Sequence, residues 1–113
     1  MARSNLPDPL AKRHLLEAEL EPAKARALAD GYLALSREIE AIDFLKRANA
    51  TEVLEALQQT ALERGDVFLL RRVAQALERD PSREQWRVLA SAAAAAGRER
   101  DAETASRLAT VDA

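Results

Sequence analysis

"EQWRVLASAAAAAGRERDAETASRLA", residues 84–109, holds the chain's single tryptophan, a run of alanines, one glycine and a second alanine-rich stretch. Alanine, leucine, glutamate and arginine are good helix formers. They dominate this segment as they dominate the rest of the chain. Gly97 interrupts the pattern once, and a residue without a Cβ is suited to end a helix in the left-handed conformation. The segment therefore predicts two helices joined by a tight turn. β-branched residues are scarce along the whole chain and never alternate over a strand's length, so the reading extends to an all-α protein.

Working outward, the punctuation predicts seven helices. The first runs from about Pro9 to Leu20, with Asp8 as N-cap and Pro9 at the first helical position, where its missing N–H costs nothing. Glu21-Pro22 opens the second, to about Leu35. Ser36 precedes the third, about Arg37 to Ala48. The fourth starts near Thr51 and ends at Gly65. Asp66 caps the fifth, which reaches about Arg79 and is broken by Asp80-Pro81. Ser82 followed by Gln85 has capping-box spacing and starts the sixth. Gly97 ends it, and the seventh runs to about Ala109. The tail 110–113 has nothing to anchor it and is expected to fray. The connections are short, so consecutive helices are expected to pack antiparallel.

Counted from Gly97, Trp86 lies eleven residues before, Leu89 eight before and Ala90 seven before, while Ala102 lies five after and Ala109 twelve after. Around Gly65, Leu54, Leu57, Ala61, Leu70, Ala74 and Leu77 fall near the same offsets, and "ALERDP" closes the stretch. Earlier still, "LADGYLALSREIEAIDFLKRA" sets Leu28, Ala29, Tyr32, Ala41, Leu45 and Ala48 in the same order. This spacing resembles the tetratricopeptide repeat, a helix–turn–helix unit of 34 residues. Ala93 and Ser106 depart from its pattern, standing where an aromatic and a large apolar residue are usual. Three weakly similar units, 22–48, 51–80 and 83–109, cover most of the chain, preceded by a leading helix at 8–20. The resemblance implies one domain, 1–113: an α-solenoid of about three antiparallel helix hairpins in a right-handed superhelix. Ala90 and Ala102 fall where the two helices of a unit cross, and a bulky residue at Ala102 is expected to overpack by about 1–3 kcal/mol.

In arrays of this family the first helix of each unit lines a concave partner-binding face. Carried over residue by residue, that face is Arg26, Ala27, Asp30, Leu33 and Ala34, then Glu52, Glu55, Ala56, Gln59, Leu62 and Glu63, then Glu84, Arg87, Val88, Ser91, Ala94 and Ala95. The resemblance therefore implies a partner-binding set of Arg26, Asp30, Glu52, Glu55, Gln59, Glu63, Glu84, Arg87 and Ser91. Chaperone-binding members hold a peptide C-terminus in a cationic clamp. Here the three glutamates near the centre favour an extended segment or helix carrying Lys or Arg. The apolar stripe Leu10, Leu15, Leu16 and Leu20 suits a leading cap. The small residues Ala102, Ala105, Ser106 and Ala109 at the other end suit either tolerated exposure or docking of a second copy.

At 113 residues the chain is long enough for one domain with a real core. It has no cysteine, which removes disulfides, zinc ribbons and thiol catalysis. The net charge of −2, with short basic clusters only, argues against nucleic acid as partner. No apolar stretch is long enough for a membrane span, and the N-terminus lacks a secretory h-region. The abundance of arginine over lysine, with alanine, points to a GC-rich bacterial genome and a cytoplasmic protein. His14 is the lone histidine, and no phosphate-binding glycine loop or HExxH motif occurs. The expectation is a non-catalytic adaptor or scaffold without cofactor or metal. The alternative is a self-associating structural subunit, for example a homodimer.

Overall fold

The first helix begins where its cap dictates. In the computed structural model, which describes residues 7–17 (backbone only for 15–17) and 20–110, the Ala11 N–H donates to Asp8 Oδ1 at 2.8 Å. Helix α1 (Pro9–Glu17) follows. Leu20, the expected end of this helix, is non-helical, and the side chains of Leu15 and Leu16 and the tail at 111–113 lie outside what is described. The succeeding helices are α2 (Pro22–Ala34), α3 (Glu38–Arg47), α4 (Thr51–Arg64), α5 (Val67–Leu77), α6 (Arg83–Ala95) and α7 (Glu99–Thr110). Among the described residues there is no strand. Pro22 opens α2 as expected. Asp66 caps α5 by accepting from the Leu69 N–H at 3.1 Å. Ser82 and Gln85 complete both halves of the capping box on α6, at 3.1 and 2.9 Å. Each such cap contributes about 1 kcal/mol.

The helix ends share one device. Ser36, Asn49, Gly65, Glu78 and Gly97 have φ of 58°, 56°, 71°, 55° and 76°. They follow α2, α3, α4, α5 and α6 in turn. Just beyond each of them, the next N–H reaches back five residues: Arg37 to Tyr32, Ala50 to Leu45, Asp66 to Ala61, Arg79 to Ala74 and Arg98 to Ala93, at 2.8–3.1 Å. This is the Schellman closure, which satisfies carbonyls that a helix end otherwise leaves open. Ser36 is therefore not the cap of α3 but the left-handed residue that closes α2. Arg37 precedes α3 and makes no side-chain cap. Asparagine enters this region readily, but for other non-glycine residues it costs roughly 1–2 kcal/mol, so the turns at Ser36 and Glu78 form against local preference. The turns at Ser36, Gly65 and Gly97 recur after 29 and then 32 residues, shorter than the 34 of the tetratricopeptide period.

Packing divides the chain into two compact units, with the division falling after Leu54, inside α4. In the first unit α2 packs against α3, and α1 touches α3. The buried positions of α2 are Ala25, Ala29 and Tyr32, and those of α3 are Ala41, Ile42, Phe44 and Leu45. Ala29 and Ala41, seven before and five after Ser36 as Ala90 and Ala102 are about Gly97, are both fully buried. Tyr32 and Phe44 stack with ring centroids 5.7 Å apart and planes 12° from parallel. Lys12 of α1 sits 5.7 Å from both rings and 3.8 Å from Asp43. The Tyr32 hydroxyl donates to the Pro7 carbonyl at 3.2 Å. One aromatic pair thus fastens the leading helix by cation–π contact and a hydrogen bond.

In the second unit α6 packs against α7, and α5 touches α7. Its buried residues include Leu57, Ala61, Leu62, Leu69, Leu70, Val73, Trp86, Leu89, Ala93, Ala105 and Ala109. Leu62, read from sequence as a lining residue, is a core residue at 7 % exposure. The alanines at 90 and 102 are only half-buried, and both line the groove between α6 and α7. Smallness is demanded outright at one other position. A Cβ on Gly65 would lie 2.4 Å from the backbone N and Cα of Ala93. The turn after α4 therefore approaches the α6 backbone directly. Ala93 is the buried member of the alanine run, whereas Ala94, Ala95 and Ala96 are exposed.

Candidate functional site

Each of the nine residues assigned to a partner-binding face is exposed. They fall on helices whose other faces are buried, at spacings of three and four residues, so each helix presents a polar row. In the first unit the row is Arg26, Asp30 and Glu52. Arg26 Nε lies 3.3 Å from Asp30 Oδ1, and Arg26 Nη1 lies 3.3 Å from Glu52 Oε1. One guanidinium therefore serves two carboxylates, one on its own helix and one in the first turn of α4.

In the second unit α4 carries Glu55, Gln59 and Glu63, and α6 carries Glu84, Arg87 and Ser91. Arg79 Nη2 reaches Glu55 Oε2 at 3.0 Å and ties the segment after α5 back to α4. Gln59 donates to Glu63 Oε2 at 3.2 Å. Glu84 and Arg87 are ion-paired one turn apart. Ser91 stands at the edge of an open groove of about 770 Å³ between α6 and α7, floored by Ala90, Ala94, Ala102 and Ser106, with Glu103 beside it. Arg107 turns to the Thr104 hydroxyl at 3.5 Å.

These contacts change the electrostatic reading. Glu52 and Glu55 each already face a guanidinium, so the negative charge expected at the centre is largely compensated within the chain. The pairs are exposed, and such pairs contribute about 0–1 kcal/mol each. They can be exchanged for a partner's charges at little cost. Arg79 was invisible as a member of this set, because it follows a left-handed glutamate that no local rule marks.

A second charged cluster, in the first unit, was also missed. Arg37 Nε donates to Glu40 Oε1 at 2.6 Å, and the Arg37 guanidinium lies 5.1 Å from the Tyr32 ring centroid. The hydrogen bond from Arg37 holds the Glu40 carboxyl below its ordinary range, with the charges of Arg37 and Lys12 acting in the same direction. That same bond raises the Arg37 guanidinium. Burial first, then the nearby Glu40 charge, raises the Tyr32 phenol. The cluster braces the aromatic pair. Its signal in the sequence was the spacing of Arg37 and Glu40, three residues apart at a helix start.

His14 is exposed on α1. Among the described residues no Asp, Glu, Lys, Arg, His, Asn, Gln, Ser or Thr side chain is fully buried, and no group of three or more His, Cys, Asp or Glu is arranged to hold a metal ion. No described helix is long and apolar enough to cross a membrane. No family model matches the chain, and no curated protein or solved structure matches it.

Proposed function

We propose that this protein is a non-catalytic interaction module of tetratricopeptide-like helical repeats, which binds a segment or helix of another protein along the polar rows of its helices. The observation that carries the reading is the placement of Glu55, Gln59 and Glu63 on α4, and of Glu84, Arg87 and Ser91 on α6. All are exposed, and each helix packs its other face into the core. The first unit offers Arg26, Asp30 and Glu52 in the same manner. Exposed, mutually paired charges of this kind give specificity and association rate, because a partner can substitute its own charges for the internal ones. A segment carrying Lys or Arg fits Glu52, Glu55 and Glu63.

The test is affinity capture with wild type beside a variant combining Arg26→Glu, Glu55→Lys and Arg87→Glu, after both are shown to melt alike. Capture of one partner by wild type and its loss from the variant supports the reading. Retention of the same partner by the variant removes the polar rows from consideration. A second reading, a self-associating structural subunit, draws on the α6–α7 groove, whose floor of small side chains is open. Light scattering decides it: a concentration-independent monomer rejects self-association.

A further inference from the structure

Glu78 stands where the backbone favours another residue. It is the left-handed residue that closes α5, with φ 55°, a position that glycine fills without penalty. Its side chain is exposed and makes no ion pair among the described residues. A strained residue whose side chain does nothing for the fold points to a function for that side chain. The Glu78 carboxylate lines a cleft of about 410 Å³ in the second unit. Arg71, Ala74 and Glu78 form one ridge of this cleft, at i, i+3 and i+7. The backbones of Arg71 and Glu78 are therefore about 10 Å apart along the helix, with only a methyl group between them. Asp80 stands beyond Glu78, and Pro81, Trp86 and Leu108 are also in the lining. Arg71 and Asp80, like Glu78, make no ion pair among the described residues. Arg79 lines the cleft too, but Glu55 holds its guanidinium at 3.0 Å. The cleft thus has an uncompensated cation toward one end, two uncompensated carboxylates toward the other, and an apolar wall.

We infer that this cleft binds a small zwitterion with an apolar side chain, a free amino acid or a dipeptide. A purely acidic ligand is repelled by Glu78 and Asp80, and a purely basic one by Arg71. A ligand that carries both a carboxylate and an ammonium satisfies both ends. Its carboxylate accepts from the Arg71 guanidinium, whose planar fork suits that group. Its ammonium donates to Glu78 and Asp80. Its apolar side chain lies against Trp86, Pro81 and Leu108. The volume falls in the lower part of the range of small-molecule sites, roughly 300–1,000 Å³, which suits one or two amino-acid residues rather than a folded segment. Arg71, Glu78 and Asp80 belong to none of the polar rows, so this site and the partner-binding reading stand or fall separately.

The experiment is titration calorimetry of the whole protein with leucine, phenylalanine and the dipeptide Leu-Leu at neutral pH. Trp86, the single tryptophan, lies in the cleft, so binding also shifts its fluorescence. Acetylating the amine of the probe that binds, or amidating its carboxylate, is expected to weaken it at least tenfold. Arg71→Gln is expected to weaken the zwitterion at least tenfold and to leave the amidated probe unchanged. Glu78→Gly is expected to weaken the zwitterion at least tenfold while melting no lower than wild type, which separates loss of the ligand from loss of the fold. Asp80→Asn replaces either variant if it melts early, and Glu84→Lys leaves binding unchanged. Tighter binding of the amino acids assigns the cleft to a free amino acid, and tighter binding of Leu-Leu assigns it to a peptide. No binding of any of the three at millimolar concentration overturns the inference. So does a blocked probe that binds as tightly as its parent, or affinity untouched by both Arg71→Gln and Glu78→Gly.

Discussion

Gly65 and Gly97 have nearly the same backbone, φ +71° and +76°, and opposite surroundings. Alanine at either position pays the left-handed conformation, roughly 1–2 kcal/mol, less about 0.4–1 kcal/mol regained by restricting the unfolded chain. At Gly97 nothing lies within 4 Å of the added methyl, so Gly97→Ala is expected to lose only about 1 kcal/mol. At Gly65 the methyl meets the Ala93 N and Cα at 2.4 Å. These are backbone atoms of α6 and cannot rotate away, so the overpacking cost of about 1–3 kcal/mol is added. Gly65→Ala is then expected to lose about 2–4 kcal/mol in all. With about 4 °C per kcal/mol for a chain of this size, Tm should drop by about 4 °C for Gly97→Ala and by about 8–16 °C for Gly65→Ala. Thermal and urea denaturation followed by far-ultraviolet circular dichroism measures both. The double variant Gly65→Ala with Ala93→Gly sharpens the test, because removing the Ala93 methyl leaves the N and Cα in place and should not restore stability. Equal losses at the two glycines, or full rescue by Ala93→Gly, would refute the direct approach of this turn to the α6 backbone.

Trp86→Ala should cost about 3–5 kcal/mol in urea denaturation, because the ring is 6 % exposed and its removal leaves a cavity. Glu78→Gly removes a left-handed side chain that is exposed, and it should be neutral or gain up to about 1 kcal/mol. The lowered Glu40 carboxyl contributes stability that is fully present above its ordinary value of 4.5 and is lost as pH falls through the folded-state value. Wild type should therefore exceed Glu40→Gln by less than about 1 kcal/mol at neutral pH, and a pH series of melts should show the two converging in acid.

The sequence by itself determined the helices and most of their caps. Asp8, Pro22, Asp66 and the Ser82–Gln85 box act on their own first turns, so their chemistry is complete within a few residues. Gly65 and Gly97 were legible for the same reason, since only glycine enters the left-handed region without a Cβ penalty. Tyr32, Leu45, Leu70 and Leu89, singled out by their spacing, are all buried. Tertiary structure decided what spacing leaves open. Ser36 and Glu78 turn left-handed because the next helix must start in a direction that packing sets. Leu62 is buried, and Ala90 and Ala102 are not, because which side of a helix is covered depends on its neighbours. The nine polar residues are exposed as their pattern suggested, yet the Arg26–Glu52 and Arg79–Glu55 pairs join residues more than twenty positions apart. A long-range contact has no local signature, so the charge that these polar rows present belongs to the fold.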